Sequence, residues 1–218
     1  MTAAAQAVAA IGGLATGTLV AWYFLSRRRG VDVTPVAEKR PPLPEWLSED
    51  LADEARTHTW LHLPEWSGGR DWRALSGYSG TDFVHGSGTS HVFCPQYMFN
   101  GQSGAGARLV GAVHFGPGAE SHQGLCHGGT MCAIMDDVIG WTGFCVTGKC
   151  VPWSGFTVNI NTNLKAPVKV HSWLRVEGWI TLVERRKVHI SAKLLGRGES
   201  PDQVVVHCEA DGLVVLKK

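Results

Sequence analysis

The sequence lacks both an excess of charge and closely paired cysteines. Twenty Lys and Arg stand against 19 Asp and Glu, a net charge of +1 over 218 residues, which gives no basic surface of the kind that nucleic-acid binding needs. The six cysteines include no CxxC pair, a usage typical of reduced thiols rather than of a disulfide framework. Cys126, His127 and Cys132 are close in sequence but lack the spaced ligand pairs of a zinc site. We therefore expect no nucleic-acid partner and no metal.

Residues 1–30 contain a long run that is both uncharged and largely apolar. Ala7–Leu25 is 19 residues without charge, followed by Arg27, Arg28 and Arg29; as a helix it would be about 28 Å long, close to the thickness of a bilayer core. A cleaved secretory signal would carry its positive charges before the apolar run, and a mitochondrial presequence would be rich in Arg, which the first 26 residues lack. This pattern predicts a transmembrane signal anchor.

The arginines after the apolar run also predict the orientation of this anchor. The positive-inside rule places them, and the domain that follows, on the cytosolic side of a single-pass membrane protein. A moderately apolar anchor with a basic flank resembles anchors of the mitochondrial outer membrane. The alternative location is the mitochondrial matrix.

Residues 31–89 read as a linker and an irregular N-terminal extension. Residues 31–44 contain four prolines and no apolar period. Ser48 to His58 is predicted as a short helix, with Ser48 as its N-cap. Trp60 to Gly88 is rich in Gly, Ser and Trp and gives no clear prediction.

Residues 90–218 alternate apolar and polar residues in several segments around one apolar helix. The helix follows His127 and runs to Phe144, with apolar residues at helical spacing. The predicted strands are Ser90–Asn100, Arg108–Phe115, Phe156–Ala166, His171–Glu184, Val188–Arg197 and Gln203–Val215. One helix among about six antiparallel strands is an α+β domain.

Two adjacent carboxylates, Asp136 and Asp137, lie in the middle of that apolar helix. Burying a carboxylate costs several kcal/mol unless a partner or a reaction uses it. Small residues share the helical face of Asp136: Gly129, Cys132, Ala133, Gly140 and Gly143. They leave room for a substrate, or, in the plainer interpretation, for tight packing of the helix on the sheet.

Two motifs carry a resemblance to a known family: LCHGGTMCAIMDD on the helix and FTVNINTNLKAPV on the next strand. Asp136 lies nine residues after His127, and Thr157 lies ten residues before Pro167. This pattern resembles the hotdog-fold acyl-CoA thioesterases, in particular the phenylacetate-type and mammalian thioesterase-superfamily members. The resemblance implies a hotdog fold, in which an antiparallel sheet wraps around one long helix, and hydrolysis of acyl-CoA without a cofactor.

The resemblance also implies catalytic roles. The N–H groups of Gly128 and Gly129, at a helix N-terminus, would polarise the thioester carbonyl and hold the developing oxyanion. Asp136 would act as general base on water or attack the carbonyl directly. Gly128 and Asp136 are roughly 12 Å apart along one helix, so they cannot reach one carbonyl. A two-fold homodimer, with Gly128 of one chain facing Asp136 of the other, would solve this.

Three further residues complete the predicted catalytic set. Thr157 would hydrogen-bond the water or the carboxylate. His127 would shape the loop by hydrogen bonding rather than transfer protons. Asp137 is the alternative to Asp136 as the base.

For the substrate, the resemblance points to Asn163, Lys165, Arg186 and Lys187 as contacts to coenzyme A, since cationic side chains bind phosphates. The plainer interpretation is a solvated strand end and hairpin turn. The apolar strands favour fatty acyl chains over small polar acids. The alternative function is a non-catalytic hotdog module that binds acyl-CoA or a partner at a membrane.

Overall fold

The computed structural model describes residues 41–61, 95–200 and 203–218. Within these ranges the chain forms two α-helices, α1 (Glu45–Glu54) and α2 (Gly128–Phe144). The strands are β1 (Thr59–Trp60), β2 (Gln96–Phe99), β3 (Arg108–Phe115), β4 (Glu120–His122), β5 (Leu125–Cys126), β6 (Gly155–Leu164), β7 (Ser172–Glu184), β8 (Lys187–Arg197) and β9 (Val204–Leu216). The predicted α+β class is confirmed.

Seven of these strands form one sheet in the order β1-β2-β3-β7-β8-β9-β6, and every neighbouring pair is antiparallel. β4 and β5 form a separate small hairpin before α2. The sequence predicted β3 and β6 to β9 to within about two residues. It did not predict β1, because a two-residue strand has no period and exists only through its pairing with β2. β6 is left at an edge of the sheet.

Helix α1 begins three residues before its predicted start. Pro44 is the N-cap, with an extended backbone, and its carbonyl accepts the N–H groups of Leu47 and Ser48. Ser48 therefore lies inside the helix, and its prediction as the N-cap is wrong. The earlier start includes Leu47 in the helix, one turn before Leu51, and both side chains are buried.

The two helices pack on opposite faces of the sheet. Along β2 and β3, alternate residues enter different cores, as the period of a strand requires. One core, around α2, takes Tyr97, Leu109 and Val113, among other residues. The other core, under α1, is built by Leu47, Leu51, Met98, Val110, Ala112 and Trp173.

Helix α2 lies close to the sheet because small residues meet it there. A Cβ at Gly178 of β7 would overlap the hydroxyl of Thr142, and one at Gly143 would lie 2.9 Å from Val214. Thr142 is fully buried, and its hydroxyl donates to the Val138 carbonyl at 2.7 Å. The Thr142 hydroxyl therefore makes its hydrogen bond within α2 and needs no polar partner from the sheet.

The predicted features of the N-terminus lie outside these residues. Residues 1–30, predicted as a membrane anchor, and most of the extension lie outside the described ranges. Within the residues that the structure describes, neither helix combines the length and hydropathy that a membrane span needs. The described part of the extension, residues 41–61, belongs to the fold through α1 and β1.

Candidate active site

The N-terminus of α2 is capped by a histidine. His127 is the N-cap residue, and its Nδ1 accepts the N–H of Gly129 at 2.8 Å. Its carbonyl accepts both the N–H and the hydroxyl of Thr130, at 3.0 and 2.6 Å. Because Nδ1 is an acceptor here, the proton of a neutral ring is on Nε2. His127 therefore has a structural contact at this turn.

The two glycine N–H groups are not equivalent. The Gly129 N–H is taken by His127, whereas the Gly128 N–H has no partner among the described residues. The sequence predicted two free donors at this helix end, and the structure has one. The reason is that the imidazole of the N-cap competes for one of the N–H groups that a helix leaves unsatisfied.

The two adjacent aspartates have different surroundings. Asp137 is half-buried, and its Oδ2 accepts the hydroxyl of Tyr97 at 2.6 Å. Asp136 is exposed and, in the part of the chain that is described, has no hydrogen bond or ion pair. Asp137 is thus held by a residue of the core, whereas Asp136 is open to solvent or a ligand.

Thr157 lies against the same helix one turn beyond Asp136. Its Oγ1 is 3.8 Å from the position of a Cβ on Gly140, and residues four apart share a helical face. The pairing of β6 with β9 shifts between Thr157 and Asn159. A bulge of this kind changes the direction of a side chain and is common beside active sites.

The four residues proposed to contact coenzyme A do not come together in one chain. Lys187 pairs with Val215 of β9, and Val215 pairs with Phe156 of β6. Asn163 is seven residues further along β6, where it pairs with Glu209. At about 3.3 Å per residue this is about 23 Å. Arg186 is on the same turn as Lys187 and donates to the Leu216 carbonyl at 3.1 Å.

Glu209 connects two lysines at the other end of β6. Its carboxylate is 2.9 Å from the Lys165 Nζ and 3.6 Å from the Lys193 Nζ. The hydrogen bond from Lys165 and the charges of both lysines hold the pKa of Glu209 below its usual value. Two cations share one anion, so this cluster keeps an excess positive charge beside the exposed Asn163.

The side of the molecule that carries β6 is open and apolar. Phe156, Val158 and Leu164 are 63%, 57% and 49% exposed on this edge strand. Leu164 also contacts the start of α2, since a Cβ on Gly128 would lie 2.7 Å from its Cδ1. An unpaired edge with exposed apolar side chains is a template for pairing with another strand.

Residues 123–200, which include α2 and β6 to β8, match the thioesterase superfamily. These residues form a thioesterase-superfamily domain. The antiparallel sheet packed on one long helix is its hotdog fold, as the resemblance implied.

Two relatives of this thioesterase domain are acyl-coenzyme A thioesterases. The chain is 29% identical over 108 residues to THEM4 of Bos taurus, covering 50% of this chain and 40% of that one. It is 25% identical over 179 residues to THEM5 of Homo sapiens, covering 77% of this chain and 68% of that one. The chain thus spans less than half the length of the bovine relative.

A solved structure of a hypothetical thioesterase protein from Streptococcus pneumoniae, with coenzyme A, is also similar. It is 14% identical, covers 56% of this chain and 88% of its own, and has a TM-score of 0.44. A score at this level supports no conclusion about the ligands or assembly of this chain.

Three features of the thioesterase domain were not evident from the sequence alone. They are the Tyr97 hydrogen bond to Asp137, the capture of the Gly129 N–H by His127, and the pairing of Lys165 with Glu209. Only the second had a local signal, a histidine directly before a Gly-Gly helix start. Among the described residues no group of three His, Cys, Asp or Glu comes together as a metal site. Burial raises the pKa of the Cys126 thiol, which lies just before His127, to about 11.

Proposed function

We propose that this protein hydrolyses acyl-CoA to a free acid and coenzyme A. The observation that carries the proposal is Asp136, an exposed carboxylate on an otherwise apolar helix, with no partner among the described residues. A carboxylate held for stability would be paired, as Asp137 is with Tyr97. The family match and the two acyl-coenzyme A thioesterase relatives indicate the same chemistry.

In this proposal each residue has a separate task. Asp136 takes a proton from water, and the water oxygen attacks the thioester carbonyl carbon. The negative charge that develops on the carbonyl oxygen is held by the Gly128 N–H and by the helix N-terminus. The tetrahedral intermediate then collapses, the C–S bond breaks, and coenzyme A leaves as the thiolate. Direct attack by Asp136 on the carbonyl is the alternative route.

Thr157 and His127 support these groups. Thr157 Oγ1, on the same helical face, would hydrogen-bond the water or the Asp136 carboxylate. His127 keeps the Gly129 N–H occupied and so fixes the first turn, and the Gly128 N–H is left without a partner among the described residues. Gly129 is therefore a shaping residue in this proposal, and Gly128 is the donor.

The site requires two chains. Gly128 and Asp136 are eight residues apart, roughly 12 Å along α2, so one carbonyl cannot contact both in a single chain. We propose a two-fold dimer that forms through the open side with β6 and through the part of α2 that carries Gly129, Cys132, Ala133 and Asp136. The exposed Phe156, Val158 and Leu164 support this choice of interface.

The same dimer would bring the two basic groups toward each other. In antiparallel pairing of β6 with the β6 of a second copy, the Phe156 end of one strand meets the Leu164 end of the other. Arg186 and Lys187 of one chain would then approach Asn163 and Lys165 of its partner, where the coenzyme A phosphates would bind. Fatty acyl chains are the proposed acid portion.

We also propose that residues 1–30 anchor this domain to a membrane, with residues 31–89 as linker and extension and residues 90–218 as the catalytic domain. The uncharged run and the three arginines after it support the anchor. Flotation of the full chain with vesicles tests it, because removal of residues 1–30 should then release the domain.

Coenzyme A release from acyl-CoAs of several chain lengths tests the hydrolase. We expect Asp136→Asn to lower kcat by about 10²–10⁴-fold, the usual contribution of a general base. Asp137→Asn is the matched control, since the amide oxygen can still accept from Tyr97, and it should retain most of the activity. Equal turnover in wild type and Asp136→Asn would rule out this base. Tight acyl-CoA binding without turnover would instead indicate the non-catalytic module.

A mixing experiment tests the shared site. Gly128→Pro removes the N–H at the first helical position, where proline is tolerated and no helical bond is lost. When inactive Asp136→Asn and Gly128→Pro chains are mixed, half of the dimers are mixed and each has one intact site. We therefore expect recovery of about a quarter of the wild-type rate in a two-fold dimer. No recovery after proven subunit exchange would place both groups in one chain.

A further inference from the structure

The loop between α2 and β6 brings two cysteines together. Cys145 is the C-cap of α2 and is fully buried. Cys150 is five residues later, half-buried, and packs against the same core. Both are free thiols, as are the other cysteines that the structure describes. One member of the pair is thus accessible in part, and the other is enclosed behind it.

The backbone of this loop brings its two ends, and with them the two cysteines, near each other. The Val151 N–H donates to the Phe144 carbonyl at 3.0 Å, and the chain turns at Gly148, whose φ is +81° and whose N–H donates to the Cys145 carbonyl. The Val151–Phe144 hydrogen bond joins the two ends of the loop, and Cys145 and Cys150 are the residues just inside those ends. Both pack against the same core, and a disulfide between them would need Cα atoms roughly 4.4–6.8 Å apart.

The two thiols also contact each other. The hydrogen bond between them and burial raise the pKa of Cys145, which therefore keeps its proton and donates it. The same hydrogen bond lowers the pKa of Cys150, although burial opposes this. Cys150 is thus the thiol that is favoured as thiolate, and the thiolate is the reactive form.

Other thiols in the described chain lack this combination. Burial raises the pKa of Cys126 to about 11 and that of Cys208 to about 12, and Cys208 is fully buried. Such thiols are inert core residues. The pairing, the partial exposure and the lowered pKa occur together at Cys150, so packing alone does not account for this pair.

We propose that Cys145 and Cys150 are a reversible oxidation site for a peroxide. The Cys150 thiolate attacks hydrogen peroxide, so that an S–O bond forms, the O–O bond breaks, and hydroxide leaves and is protonated to water. Cys145 gives up its proton and attacks the sulfenic sulfur, so that the S–S bond forms and a second water leaves. Two thiols and one peroxide thus give one disulfide and two waters, and a dithiol reductant reverses the change.

A peptide map of the full chain tests this site. Trypsin cuts after Arg108, Lys149 and Lys165, so the two cysteines fall in separate peptides, 109–149 and 150–165. After one equivalent of hydrogen peroxide, alkylation and digestion without reductant, we expect these two peptides to be joined, with fragmentation placing the bond at Cys145. Dithiothreitol should separate them.

Three variants make the result specific. Cys150→Ser should abolish the link, and Cys145→Ala should leave Cys150 as a sulfenic acid that dimedone traps. The matched control Cys132→Ser, which removes another thiol of peptide 109–149, should keep the link. The proposal is overturned if wild-type Cys150 stays unlinked, if its partner is Cys126 or Cys132, or if the link survives in Cys145→Ala.

Discussion

The two helices on opposite faces of the sheet both carry carboxylates, but they use them differently. On α1, Glu54 is within 2.5 Å of Arg175 and 3.7 Å of Arg108, and Asp50 is 3.7 Å from Arg197. On α2, Asp136 has no partner among the described residues. A carboxylate with cations around it reports how a helix is attached to the sheet. The carboxylate of Asp136, which is left open, is the base in the function that we propose.

The charge cluster under α1 is centred on one arginine. Arg175 is only 12% exposed, and its Nε donates to Glu177 at 2.9 Å while its Nη2 donates to Glu54. Ion pairs that are this enclosed lose much if one partner is removed, because the other charge stays buried. By contrast, the Asp53–Arg56 pair is on the outer surface, at 3.3 Å and mostly exposed, and contributes little.

The largest expected effect on stability is at the apolar contact of α1. Leu47 is fully buried between α1 and the sheet, so Leu47→Ala should lower the free energy of unfolding by about 2–5 kcal/mol. Urea unfolding measures it. Because α1 is on the face away from the site, the folded variant should release coenzyme A at the wild-type rate, and a loss of kcat would show that the two faces are coupled.

Ser48→Ala is the matched control on the next residue. Ser48 is exposed and inside the helix, so this change should alter stability by less than about 0.5 kcal/mol. A cost nearer 1 kcal/mol, typical of a lost N-cap, would contradict Pro44 as the start of α1.

A smaller effect is expected at Glu54. Burial alone would raise its pKa, but the hydrogen bond from Arg175 and the charges of Arg175 and Arg108 hold the pKa of Glu54 below 4.5. A lowered pKa in the folded state stabilises the protein above the unfolded value, and this contribution is lost as pH falls through the folded pKa. Glu54→Gln should therefore cost about 1–3 kcal/mol at pH 7.

The pH dependence of that cost is the check. Between pH 7 and 5 the difference in unfolding free energy between wild type and Glu54→Gln should be constant, and below about pH 4.5 it should shrink as Glu54 is protonated. A difference that is unchanged at pH 3 would mean that packing, rather than charge, is what the substitution removes.

The comparison also shows how far the sequence could lead. The long strands and α2 were predictable because their apolar periods are local, and Asp136, His127 and Thr157 were selected by the resemblance of two motifs to the hotdog thioesterases. The different surroundings of Asp136 and Asp137 were not predictable from the sequence. These neighbours differ because Tyr97, 40 residues away in sequence, approaches one of them across the core. Likewise, the loss of a free Gly129 N–H depends on the ring orientation of His127, which spacing does not contain.

The smallest expected effect is the stability change at Asp136 itself. With no partner among the described residues to lose, Asp136→Asn should change the free energy of unfolding by less than about 0.5 kcal/mol, although it should remove most of the activity. Asp137→Ala should cost about 1–3 kcal/mol, because it removes the acceptor of the Tyr97 hydroxyl. Urea unfolding of both variants beside their kcat values separates the two aspartates. A stability loss at Asp136 as large as that at Asp137 would mean that Asp136 is also held by a contact, and an open carboxylate could then no longer be taken as the sign of the catalytic base.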